Sequence, residues 1–280
     1  MNYPIIDSHF HIWDTKALRY PWLDNRPALN RPFLFQDYVR AMEGLPLEGA
    51  VYVEVTSEDY VREVEWVTEQ AEENPLIKGI VSWCALEDRQ SIRAVLENMQ
   101  HNPLIRGVRR MLKKAPDPKL CLSTAFIEGI RLLPQYGLVY DMAILPAHLQ
   151  DVYTMMRQCE DVKIVLEHSA EPDIKGDGFE TWARDLARIS ELPNAYCKLS
   201  GFLTKADPKT WKTETLRPYM EFVVEKFGFD RVMFGSDWPP VTQIASLRKW
   251  IDIIQEVYVG ESSENMCKLF SGTAKGFFNI

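Results

Sequence analysis

No stretch of the 280 residues approaches the roughly 18 consecutive apolar side chains of a membrane-spanning helix. Positive charge is also short. Forty Asp and Glu against 32 Lys and Arg leave a net charge of −8, which disfavours nucleic acid and anionic membrane surfaces as partners. The five cysteines, Cys84, Cys121, Cys159, Cys197 and Cys267, are widely spaced and form no Cys-x-x-Cys pair. An odd, scattered set argues against a disulfide frame and for free thiols in a reducing cytoplasm. A strand-like run begins within four residues of the first, leaving no room for a secretory leader. Low-complexity tracts, short repeats and a Gly-x-Gly-x-x-Gly phosphate loop are all missing.

What is present is an ordinary globular mixture, 46% apolar and 26% charged. Strand-like runs lie at 5–13, 50–56, 77–83, 105–110, 138–144, 163–168, 195–200 and 231–237. Between them come amphipathic stretches that read as helices. The first is short, at 36–43, and the next runs from Glu58 to Glu73 with Ser57 as its cap and Val61, Val64, Val67, Thr68 and Ala71 inward. Others cover 91–99, 123–135, 149–159, 179–190, 214–227, 243–258 and 262–276. Short apolar strands alternating with helices imply a parallel sheet. Eight such units in this length predict an α/β fold, a single (β/α)8 TIM-type barrel with extra C-terminal helices.

In such a barrel the chemistry collects where the strands end. Here the strand ends carry His9 and His11, Glu54, Trp83, Arg109 and Arg110, Asp141, His168, Lys198 and Asp237. His9 and His11 share a strand face because side chains alternate with period two. Alone, such a pair reads more readily as two satisfied core histidines, and a single polar strand end is usually just solvated. The joint occurrence on one rim is harder to explain that way. Three histidines and Asp237 from separate strands match the ligands a borderline metal such as zinc accepts. Without a metal, the same groups form a general base among imidazole and ammonium donors.

Six segments occur in one order: His9-Phe10-His11, Tyr20-Pro21-Trp22-Leu23, Gly107-Val108-Arg109-Arg110, Leu166-Glu167-His168-Ser169-Ala170-Glu171-Pro172, Cys197-Lys198-Leu199-Ser200-Gly201 and Gly235-Ser236-Asp237-Trp238-Pro239. Together they resemble the amidohydrolase superfamily, in its branch of sugar-acid lactonases and related lactone hydrolases. The resemblance implies a (β/α)8 barrel that opens a lactone ring, with His9, His11, His168 and Asp237 at the active site. It also implies that Glu54 helps hold metal and that Arg109 or Arg110 contacts substrate. One divalent ion, zinc first, is implied, although members of this branch differ in whether they need it. The bridging lysine of binuclear members has no counterpart, since strand five offers Asp141, which argues against two metals.

The expected mechanism uses Asp237 as general base, with His168, Lys198 or the ion stabilising the oxyanion. Trp22, Trp83, Arg109, Arg110, Asp141 and Trp238 are the candidate substrate contacts. Only one of the two adjacent arginines can point inward, which suits a polyhydroxy lactone better than a dicarboxylate. The alternatives are a metal-dependent decarboxylase of the same superfamily, a 2-pyrone-dicarboxylate-type lactone hydrolase, or a barrel that only binds a sugar acid. The expected partner is a small-molecule lactone, with a homo-oligomer left open. His101 reads as a solvated loop residue, and His148 as a surface or lid group. Glu63, Glu65, Glu69, Glu72 and Glu73 read as a solvated helix face.

Overall fold

A computed structural model describes residues 3–176 and 178–280. Eight strands form one parallel sheet in sequential order: β1 (Ile5–Phe10), β2 (Leu47–Val53), β3 (Ile77–Trp83), β4 (Ile105–Arg109), β5 (Val139–Met142), β6 (Ile164–Leu166), β7 (Ala195–Leu199) and β8 (Val232–Phe234). The sheet closes on itself just past the ends of β1 and β8. There the Asp237 N–H donates to the His9 carbonyl at 2.9 Å and the His11 N–H donates to the Trp238 carbonyl at 2.8 Å. Buried Asp7 clamps the same seam, accepting from the backbone N–H groups of His9 and Ser236 and from the Tyr38 hydroxyl.

The helices on the outside are α1 (Phe35–Ala41), α2 (Tyr60–Glu73), α3 (Ile92–Met99), α4 (Thr124–Leu132), α5 (Leu149–Met156), α6 (Phe179–Ser190), α7 (Phe202–Lys205), α8 (Thr213–Phe227) and α9 (Leu247–Val257). Each long helix turns an apolar stripe onto the strands; on α6 it is Trp182, Ala183, Leu186 and Ile189. The last predicted helix is divided into α10 (Ser263–Cys267), a π-helical turn over Lys268–Gly272, and α11 (Thr273–Phe278). No helix is long and apolar enough to cross a membrane.

Inside the barrel the period-two pattern builds layers. Ile6, Val51, Val53, Val81, Val139, Val165 and Met233 form an apolar cluster, and Ala274, Phe277 and Phe278 of α11 pack into it. This fills the end of the barrel where strands begin. Two residues on from Val139 and Val165 the interior turns polar, with Asp141, in register with Arg109, and Glu167.

Two local readings change. α2 begins at Tyr60 rather than Glu58, and its cap is Asp59, whose carboxylate accepts the Arg62 N–H, in place of Ser57. The helix also packs through a different face from the one expected, with Val61 exposed and Glu63 and Trp66 buried. Glu63 is therefore no part of a solvated face. Its carboxylate accepts from the Tyr52 hydroxyl at 2.7 Å and from the backbone N–H groups of Val55 at 2.7 Å and Ser57 at 3.1 Å. It holds the turn after β2, where Thr56 has a φ of +60°.

Candidate active site

His9 is in the last turn of β1 and His11 one step beyond the strand, on the same side, with ring centroids 4.8 Å apart. The His11 Nδ1 lies 2.7 Å from the Val53 carbonyl. A carbonyl can only accept, so Nδ1 carries a proton there and Nε2 faces the cleft. Asp237 follows β8 in a left-handed conformation, φ +52°. The seam hydrogen bond brings its Oδ1 to 3.6 Å from His11 Nε2 and 4.0 Å from His9 Nε2. Burial raises the Asp237 carboxyl, but His168, His11 and Lys113 outweigh it and hold it below the usual Asp range, so it is ionised at neutral pH.

His168 is not a strand end. It lies two residues past β6 in a run of left-handed residues, His168 to Glu171, each with φ between +50° and +61°. Such a run is strained for residues with a Cβ, and it survives because neighbours pin it. His168 Nδ1 is 2.8 Å from the Ser200 hydroxyl, Ser169 donates to the Lys198 carbonyl, and Trp182 donates to the Ser169 carbonyl. Gly201, at φ +71°, lets the backbone pass the imidazole, since a Cβ there would come within 2.6 Å of the His168 ring. The His168 and His9 rings are then 4.7 Å apart. One donor atom each from His9, His168 and Asp237 lie within 4.8 Å of one another.

These residues suit a divalent ion. The His9 Nε2 is buried without a hydrogen-bond partner. Burial keeps the pKa of His9 well below the usual value and lowers that of His168, so both offer neutral imidazoles. A cation between His11 Nε2 and the Asp237 carboxylate, 3.6 Å apart, would be held by both. One adjustment is needed at His9, whose Nδ1 faces the Lys198 ammonium at 3.1 Å. An ammonium donating there leaves the ring proton on Nε2. Were Nε2 to hold an ion, the ring proton would have to lie on Nδ1, against Lys198. The carboxyl raised by burial and ion-paired to Lys198, Asp141, is next to it.

The strand ends behind these groups are tied by charge. Arg109 donates to the Glu54 carbonyl at 3.0 Å, to Glu54 Oε1 at 3.1 Å and to Glu167 Oε2 at 2.6 Å. Burial pushes Glu167 up, yet Arg109, Lys198 and His168 together hold it well below the carboxylate range.

A family model described as amidohydrolase matches residues 6–280. The chain belongs to the amidohydrolase family. It is 26% identical over 287 residues to the L-fucono-1,5-lactonase of Burkholderia ambifaria, covering 98% of this chain and 95% of that protein. The L-fucono-1,5-lactonase of Burkholderia multivorans is 27% identical over 281 residues, covering 96% and 94%. A zinc-bound amidohydrolase crystal structure from Burkholderia multivorans superposes with a TM-score of 0.90 at 25% identity, covering 99% of both chains.

In this amidohydrolase, His11, His168, Asp237, Glu54, Arg109 and Trp22 all line one cleft of about 320 Å³. The other expected residues are elsewhere. Arg110 points outward to Glu87, at 2.6 Å, because it alternates with Arg109. Lys198 and Asp141 are fully buried as an ion pair behind His9, too deep to touch an oxyanion or substrate. Glu54 lines the cleft with one oxygen accepting from Arg109 and the other from the Thr56 N–H, and it is not grouped with the donor atoms of His9, His168 and Asp237. Trp83 stacks on Tyr60, centroids 4.4 Å apart, outside the cleft. Trp238 is buried edge-on to Phe33 and Tyr38 at the barrel seam. His101 and His148 both face away from the cleft, each closing a local turn.

Sequence reasoning missed Glu167, Glu171 and a cationic wall of Arg26, Lys113, Lys114 and Lys205. The run Arg109-Arg110-Met111-Leu112-Lys113-Lys114, just past β4, was the available signal for part of it. A second cluster, His9 with Asp141 and Glu167, already holds a cation, since Lys198 contacts two of its three members.

Proposed function

We propose that this amidohydrolase opens the ring of a sugar-acid lactone by water attack, with Asp237 as general base. The observation that carries the reading is the ionised, buried carboxylate of Asp237, grouped with three imidazoles in a cleft sized for one small molecule. The lactonase names of the two Burkholderia relatives support the same substrate class.

Asp237 accepts a proton from water as its oxygen adds to the ring carbonyl. The tetrahedral centre then collapses, the ring C–O bond breaks, and the proton held by Asp237 passes to the departing ring oxygen. The new carboxyl ionises and releases one proton. His168, whose Nδ1 is 2.8 Å from the Ser200 hydroxyl, serves in one of two tautomers: with Ser200 donating to Nδ1 its Nε2–H faces the developing oxyanion, and with Nδ1 donating to Ser200 its Nε2 would be free to hold an ion. Trp22, braced edge-on by Trp13, offers an aromatic face to a sugar ring. His9, His11, His168 and Asp237 would hold a divalent ion, zinc by analogy with the Burkholderia structure, which when bound polarises the carbonyl or acidifies water.

The test is a panel of aldonolactones in weak buffer with a pH indicator, followed by Asp237→Asn on the best one. The substitution keeps the shape but removes the base, so kcat falls by about 10²-fold or more while KM changes far less. Near-normal kcat in that variant would transfer the role of base to His168.

A further inference from the structure

The cleft is electrically uneven from floor to mouth. On the buried floor every cation is matched, as Arg109 serves both Glu54 and Glu167. Partway up, Glu171 takes the ammonium groups of both Lys113 and Lys205. Burial raises that carboxyl, and Lys113, His168 and Lys205 pull it down to about 2, so it is a full anion between two cations. Two cations remain at the exposed mouth. Lys114 and Arg26 line the cleft and have no side-chain hydrogen bond or ion pair among the described residues.

An unpaired lysine on an open surface needs no explanation. These two are different because both line the same cleft and neither meets a carboxylate there among the described residues. Burial and repulsion from Arg109, Lys113 and Arg26 all disfavour the charge on Lys114, with Glu54 the opposing attraction. The chain as a whole is acidic, at −8, so the cluster is not part of a generally basic surface. Nor does product binding account for it. The carboxylate created by ring opening forms at the old carbonyl carbon, on the floor beside Asp237.

We propose that the lactone carries a carboxylate at the end remote from its ring carbonyl, seated between Lys114 and Arg26. This rests on the lactonase reading and narrows it from neutral aldonolactones to anionic ones, such as the monolactone of a six-carbon aldaric acid. That molecule has a ring carbonyl at one end and a carboxylate at the other.

The experiment compares that monolactone with the neutral hexonolactone of the same configuration, using the full chain loaded with zinc. The wild type favours the monolactone in kcat/KM by about tenfold or more, the scale of one charge-assisted hydrogen bond. Added NaCl erodes that preference. Lys114→Met and Arg26→Met each lower kcat/KM on the monolactone by about tenfold, through KM, and the loss on the neutral lactone is several-fold smaller. Parity or preference for the neutral lactone in the wild type, or equal losses on both, overturns the proposal. If neither lactone is hydrolysed, the lactonase reading fails, and calorimetric titration with the open-chain acids decides the anion site separately. Tighter binding of the aldarate than the aldonate, lost in both variants, upholds it; equal or absent binding of the two refutes it.

Discussion

Replacing Arg109 with leucine tests the charge network under the site. The guanidinium is 6% exposed and bridges two carboxylates, Glu54 at 1% and Glu167 at 0% exposure. Removing one partner of a buried ion pair destabilises by about 3–5 kcal/mol, because the remaining charge cannot regain water. Against a total stability of roughly 5–15 kcal/mol that loss is large. It should also depend on pH in a defined direction. In the wild type Glu167 titrates below its unfolded value, so it contributes stability above the unfolded carboxylate pKa that is lost as pH falls through the folded one. In Arg109→Leu, burial is opposed mainly by Lys198 and His168, and the folded pKa rises. The penalty then grows as pH climbs above the unfolded carboxylate range, about 4.3.

Urea denaturation with chelator in every sample keeps metal from contributing. The expected result is a loss of about 3–5 kcal/mol at pH 8, shrinking by about 1 kcal/mol or more at pH 5. Should Arg109→Leu fail to fold, Arg109→Lys keeps the charge but cannot reach both carboxylates, and should fold with a smaller loss. Equal losses at the two pH values, or less than about 1 kcal/mol at pH 8, would show that the bridge does not carry the stability assigned to it.

Elemental analysis after zinc loading should find one equivalent per chain, because Lys198 occupies the second cluster; two equivalents would contradict that assignment. Glu63→Gln presents an amide N–H to backbone donors that need an acceptor, and should lower stability by about 1–3 kcal/mol in denaturant melts, whereas a neutral outcome would mean the β2 turn holds without it. Iodoacetamide at neutral pH should label Cys267 alone by intact mass, since Cys84, Cys121, Cys159 and Cys197 are buried and burial pushes their thiols to about 11 or 12; rapid labelling of any of those four would refute this.

Short-range periodicity was enough to specify the eight strand–helix units, the common face of His9 and His11, and the rule that only one of Arg109 and Arg110 turns inward. These follow from geometry within a few residues, where alternation admits a single answer. Asp237 was also legible, as a carboxylate left at the break after the last strand. What its side chain meets was not: the 3.6 Å approach to His11 depends on β8 closing against β1.

The same limit accounts for the residues that moved. Lys198 and Asp141 look like pocket residues in the strand pattern, but strand register sends them behind His9, where each neutralises the other. Glu167 appeared only as one residue of the Leu166–Pro172 segment, because its partner Arg109 is on another strand. Glu63 sat in a run of glutamates indistinguishable by composition, and only the packing of α2 against Tyr52 and the turn after β2 decided which one was buried. Trp238 is a loop residue in sequence and a core residue in space, because the seam folds it onto Phe33 and Tyr38. The unmatched cations at the mouth were the least legible. Whether Lys114 and Arg26 find a carboxylate is a question about every chain segment that reaches the cleft, and only the closed barrel answers it.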